Sequence, residues 1–273
     1  MLCYLVLLCV LSEWLLLFGF GYSPHFPLFH FIVLPMYIIM RMRVPPSIIK
    51  KKNMDVATFF HLIMARYNAV LLRIIRKLVR ENQAVFDPRG EIPEYAGQFK
   101  YLTHINQWVQ LFFFTLQFLL DLLPSQSTFK HRSQSYLSFA FATVIFPLAW
   151  YVATSFWAVY VYDSNLIYKE VSRILNHLSH TAIVLWVILE VLLQNHNFPS
   201  LSVAVVPIFA CCLMYISWVE WMHVRTGFWV YPIFNTLPPS RFYFILFYGF
   251  SIVLCFLLYL IGRTLSSLFW GYP

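Results

Sequence analysis

"ILNHLSHTAIVLWVILEVLLQ", residues 174–194, decides the fold class of this chain. A helix that crosses bilayer hydrocarbon needs about 20 mostly apolar residues, and this segment has that length. Windows 102–123, 137–161, 201–221 and 243–267 have the same character, and a weaker one at 56–72 is interrupted by Arg66. The composition agrees: 60% of the 273 residues are hydrophobic, 20% aromatic and 11% charged, against roughly 25% charged in an ordinary soluble domain. The chain reads as an all-α, multi-pass integral membrane protein, a polytopic transmembrane bundle of about six core helices. Residues 54–273 form this core, and 1–53 a separate hydrophobic and basic extension.

The extension holds apolar runs at 2–20 and 28–40 around "GYSPHFP", which would add one or two further crossings. Met1-Leu2-Cys3-Tyr4 carries no basic residue, Glu13 interrupts the run and no A-x-A site follows, so the run reads as an uncleaved anchor rather than a signal peptide. Pro45-Pro46 and Lys50 to Lys52 separate it from the core.

The formal net charge of +8 concentrates in "RMRVPPSIIKKK" (41–52) and "RIIRKLVR" (73–80). Beside apolar spans such runs meet anionic lipid headgroups, which makes the bilayer the partner and excludes nucleic acid as the simple reading. Basic residues fall on both sides of a six-helix arrangement, and the positive-inside rule leaves orientation open. Cys3, Cys9, Cys211, Cys212 and Cys255 all lie in apolar stretches, where a thiol packs as a small hydrophobe. Neither a disulfide framework nor a CxxC site is indicated. Residues 81–101, rich in Pro and Gly, form the one long loop within the core.

Ionisable and amide groups inside membrane helices face the protein interior and find partners, because hydrocarbon offers none. The core windows contain Thr103, His104, Asn106, Gln110, Asp121, Asn176, His177, His180, Glu190, Glu220 and His223. His177 and His180 share one helix face at a spacing of three. Glu190, ten residues past His180, is nearly three turns further along the same stripe. With alternating helices, the start of helix two (Thr103), the start of helix four (Asn176, His177, His180) and the end of helix five (Glu220, His223) fall on one side of the membrane.

Three readings of this constellation stand side by side. A neutral imidazole can take the proton of a hydroxyl that attacks a carbonyl carbon, with Thr103 as nucleophile and a histidine as base. The same groups can simply form interhelical hydrogen bonds, and spacing alone favours this. Glu220-x-x-His223 with His177 and His180 could instead bind metal or haem, although desaturase-like His-His pairs and HExxH are missing. GxSxG, GxxxxGK[ST] and GxGxxG are absent too, and no repeat with broken helices suggests a transporter. The aromatic clusters "FWAVYVYDSNLIY" (156–168) and "WVEWMHVRTGFWVYPIF" (218–234) read as interfacial belts.

Taken in order, "GQFKYLTHINQWVQLFFF", "VYDSNLIY", "LNHLSHT" with Glu190 beyond it, "NHNFPS" and "WVEWMHVRTGFWVYPIF" resemble the androgen-induced and androgen-dependent transmembrane protein family over about residues 56 to 267. The resemblance implies a helical membrane hydrolase that cleaves fatty acid esters of hydroxy fatty acids without a cofactor or metal. It implies a threonine nucleophile at Thr103, after Lys100-Tyr101-Leu102, and an essential histidine at His180. Asn176, His177, Glu190 and His223 are then expected to orient the base or support the oxyanion. The chain departs from the family pattern at Lys169, Leu178-Ser179 and Val224. The runner-up is a non-catalytic membrane protein, a transporter or regulator, that keeps the polar cluster for packing.

Overall fold

The computed structural model describes residues 55–81, 96–167 and 173–271. The extension 1–53, most of the 81–101 loop and Lys169 lie outside the described residues. Six helical rods follow one another, with no strand among the described residues: α1 (Val56–Glu81), α2 (Leu102–Asp121), α3 (Thr128–Tyr162), α4 (Arg173–Leu193), α5 (Leu201–Thr226) and α6 (Arg241–Trp270). All but α2 are long and apolar enough to cross a membrane.

The exception is informative. The window 102–123 does form a helix, but Asn106, Gln107, Gln110 and Gln117 dilute its apolar character, and most of its residues are buried. The opposite holds for α5 and α6, whose most apolar windows are only 17% buried. Val206, Ile245 and Phe250 are each about two-thirds exposed or more, at 70%, 68% and 66%. In water such faces would be a liability; in a bilayer they are the lipid-facing surface.

The chain divides into two compact units. One comprises the described residues up to Arg76 together with Trp108–Gln134. Its α1 buries His61, Met64, Ala65, Asn68, Ala69 and Leu72, a spacing of three and four that defines one helix face. Arg66 falls on the opposite, exposed face, which is why it interrupts the hydropathy without ending the helix. Phe60 meets Phe114 edge-on at 5.7 Å, and His61 Nδ1 lies 2.6 Å from the carboxylate of Asp121.

The other unit comprises the described parts of 77–107 and 135–273. In it α3 widens into a π turn at Phe141–Ile145. Pro147 explains the widening, because its ring cannot pack against the carbonyl four residues back, that of Thr143. Thr181 sits at a break in α4, yet its N–H still donates to His177 O at 2.9 Å, so the rod continues. At Gly262 on α6, an added Cβ would fall 2.7 Å from the Phe146 ring and 2.8 Å from Phe198. The helix can approach α3 this closely only without a side chain. α5 ends at Gly227, whose φ of 75° is the left-handed conformation that closes helices at little cost only for glycine.

Candidate active site

Thr103 occupies the first turn of α2, and the backbone that delivers it is tied down from three sides. The Trp218 indole N–H donates to Phe99 O at 3.2 Å, and the Tyr215 hydroxyl donates to Lys100 O at 3.0 Å. The Leu102 N–H donates to the Tyr231 hydroxyl at 2.9 Å. Tyr215 and Tyr231 are themselves 2.6 Å apart. Since the Tyr215 proton is given to Lys100, the Tyr231 hydroxyl donates to Tyr215 while accepting from Leu102. Burial raises the pKa of the Tyr231 phenol above its usual value, so this donor keeps its proton at neutral pH. Trp218 and Tyr231, read from sequence as part of an interfacial belt, turn inward instead. Trp221, Phe228 and Tyr162 remain exposed, as a belt requires.

His180, at the end of the first segment of α4, faces Thr103: His180 Nε2 and Thr103 Oγ1 are 3.2 Å apart. The other ring nitrogen, Nδ1, is 3.0 Å from the backbone carbonyl of Asn176. A carbonyl only accepts, so Nδ1 carries the proton and Nε2 presents its lone pair to the threonine hydroxyl. The ring lies flat on Phe156, with centroids 3.6 Å apart and planes 7° apart, and is largely buried. The side-by-side placement expected for the starts of helices two and four is thus present, and the tethers from Tyr215 and Trp218 bring the C-terminal half of α5 to the same level.

The remaining candidates go elsewhere. Asn176 meets His180 through its main-chain carbonyl rather than its side chain. His177 is exposed; its Nδ1 lies 3.1 Å from Thr181 Oγ1 and its ring rests against Trp157. Glu190, ten residues past His180 and so about 15 Å further along the helix, is fully buried and accepts from His196 Nε2 at 2.8 Å. His223 stacks on Trp229 at 3.7 Å, while Glu220 accepts from the Tyr248 hydroxyl at 2.8 Å and lies 3.5 Å from Arg241. Sharing a helical stripe did not bring Glu190 to His180, because three turns of rise separate them. Glu220 and His223 are drawn to different neighbours, and no cluster of three or more metal-ligating side chains forms among the described residues.

Thr103 and Leu102 lie on the wall of a cavity of about 180 Å³, bounded further by Phe156, Tyr151, Ser251 and Phe234. A second hollow of about 90 Å³ shares Leu102, Tyr151, Tyr215 and Ser251 with it and runs on past Cys211, Cys212 and Cys255. The walls are mostly apolar, with a few hydroxyls where the hollows meet, as suits an acyl chain near a polar reacting group.

Four other side chains of α2 are polar and enclosed. Asn106, Gln107, Gln110 and Gln117 are fully buried, and neither the nitrogen nor the oxygen of any of their amides has a hydrogen-bond partner. Each such group costs about 1–3 kcal/mol when left unpaired away from water. Sequence reading named Asn106 and Gln110 as polar members of the constellation but passed over Gln107 and Gln117.

Fold and site together define a polytopic helical membrane protein with a hydroxyl–imidazole pair, Thr103 and His180, whose hydroxyl lies on the wall of a largely apolar cavity. Residues 56–267 match the FAR-17a/AIG1-like protein family, and the chain belongs to that family. It is 34% identical over 184 residues to the androgen-dependent TFPI-regulating protein of Mesocricetus auratus, covering 64% of this chain and 78% of the relative. It is 31% identical over 190 residues to the androgen-induced gene 1 protein of Homo sapiens, covering 64% and 79% respectively. No solved structure matches the chain.

Proposed function

We propose that this protein is a membrane-embedded threonine hydrolase that cleaves the ester bond of fatty acid esters of hydroxy fatty acids. The observation that carries the reading is the hydrogen bond between Thr103 Oγ1 and His180 Nε2, with the histidine tautomer set by Asn176. In the first step Thr103 Oγ bonds to the ester carbonyl carbon as its proton passes to His180 Nε2. The tetrahedral intermediate then collapses, the ester C–O bond breaks, and the departing hydroxy fatty acid oxygen takes the proton from His180. Water gives a proton to the same nitrogen and adds to the acyl-threonine carbonyl; the Thr103 Oγ–acyl bond then breaks, Thr103 Oγ takes the proton back from His180, and the second fatty acid is released. Phe156 holds the imidazole plane, and the Tyr215, Trp218 and Tyr231 tethers hold the backbone that presents Thr103. The adjoining apolar hollows suit a substrate with acyl chains on both sides of the scissile bond.

The test is labelling of the purified protein by a fluorophosphonate probe, which reacts only with an activated hydroxyl. Wild type is expected to label and to hydrolyse the lipid ester, and Thr103→Ala and His180→Ala to do neither. Labelling that persists in folded Thr103→Ala would mean that the nucleophile is another residue.

A further inference from the structure

Neither the proton transfer nor the tethers use Asn106, although it lies one turn beyond Thr103 on the same helix. Its carboxamide is fully buried, and neither Nδ2 nor Oδ1 has a hydrogen-bond partner. At about 100° per residue, Asn106 projects from α2 in the arc between Leu102 and Thr103, roughly 60° from the latter. Leu102 and Thr103 are the two α2 residues that line the cavity, and Asn106 lies directly behind them, one turn further along α2, in the arc between the two. Helical side chains lean toward the N-terminus and cover the preceding turn, which directs the Asn106 amide back toward Thr103. Residues three apart have Cβ atoms about 5–6 Å apart, a separation that leaves room for a carbonyl group between amide and hydroxyl.

From this placement we infer that Asn106 donates a hydrogen bond to the carbonyl oxygen of the bound ester and stabilises the oxyanion formed when Thr103 adds to it. The inference rests on the threonine hydrolase reading. In the addition step the π electron pair of the carbonyl moves onto its oxygen while the Thr103 proton moves to His180. The Asn106 N–H meets the new negative charge, and collapse returns the pair to the carbonyl as the ester C–O bond breaks. A buried amide with no competing hydrogen-bond partner suits this role, because its N–H is available where the charge develops. The sequence-based candidates are less well placed: His177 is exposed and bonded to Thr181. Gln107 is equally buried and unpartnered, but it projects on the side of Thr103 away from Leu102, outside the arc that these two cavity-lining residues define.

The experiment compares an ester substrate with its thionoester, in which sulfur replaces the carbonyl oxygen, using the purified full chain in detergent. Sulfur accepts hydrogen bonds poorly, so an enzyme that relies on an oxyanion donor discriminates strongly against the thionoester. Asn106→Leu is expected to lower kcat on the oxygen ester by about 10²–10³-fold, the usual effect of deleting one such donor. KM should change little, and the oxygen-to-sulfur rate ratio should collapse. Gln107→Leu should keep the wild-type ratio, which separates donation from a general disturbance of α2. If Asn106→Leu does not fold, Asn106→Ala removes the same donor without adding bulk and is read in the same way. An unchanged kcat or a wild-type ratio in the Asn106 variant overturns the assignment while leaving the nucleophile in place. Activity that survives in Thr103→Ala overturns Thr103 as the nucleophile, and a wild type that hydrolyses no ester overturns the hydrolase reading on which the inference rests.

Discussion

His180 and Asn176 are joined by a hydrogen bond within one helical turn, ring Nδ1 to main-chain carbonyl at 3.0 Å, and this bond leaves the opposite ring nitrogen facing Thr103. Because the partner is backbone, no substitution of the Asn176 side chain removes it directly. Asn176→Ala is therefore expected to retain activity within about tenfold of wild type, whereas His180→Ala should lose about 10²–10⁴-fold, the usual contribution of a general base. Steady-state hydrolysis of a lipid ester by the two purified variants measures the difference.

Thr103→Ser keeps an oxygen nucleophile at the same position. It should hydrolyse the ester at a reduced but measurable rate and still label with fluorophosphonate, while Thr103→Ala should do neither. Equal loss in both variants would instead favour a packing role for the threonine methyl group.

The stack of His180 on Phe156 restricts the imidazole to one plane. Phe156→Leu preserves apolar bulk but removes the flat face, and stacked pairs of this kind contribute about 0.5–1.5 kcal/mol. A fall in kcat of up to roughly tenfold follows if that stabilisation is lost from the productive orientation. A KM-against-kcat comparison checks it, since Phe156 also lines the cavity and could raise KM alone.

Tyr231→Phe removes the acceptor of the Leu102 N–H and the donor to Tyr215 while keeping the ring. The orphaned backbone N–H costs about 1–3 kcal/mol, so thermal unfolding in detergent should shift to lower temperature. Activity should fall further than the loss of folded protein explains, because Leu102 immediately precedes Thr103.

Glu190 and His196 form a fully buried pair, and Phe141 stacks on the imidazole at 4.1 Å. Truncating one partner of a buried hydrogen bond leaves the other polar group unsatisfied, at about 1–3 kcal/mol or more, and the cavity adds to that, so Glu190→Ala should be among the most destabilising single changes in the core. Any protein that folds should still label at Thr103, because the pair lies three turns from His180. Loss of labelling at full stability would place Glu190 in the reaction after all.

Hydropathy and periodicity alone determined that this chain is a helical membrane protein, where its helices lie, and that α2 and α4 begin on the same side. Apolar length and alternation are local properties, and hydrocarbon permits few alternatives for satisfying the backbone. The family resemblance added the identity of the pair, since threonine and histidine are too common for spacing to select them. Tertiary structure decided which polar residues meet. It sent Glu190 to His196 and Glu220 to Tyr248, turned Trp218, Tyr215 and Tyr231 inward as tethers, and left the α2 amides buried without partners. Sequence periodicity gives the face a residue occupies but not its height relative to a neighbouring helix. A hydrogen bond, which requires atoms within about 3 Å, depends on both.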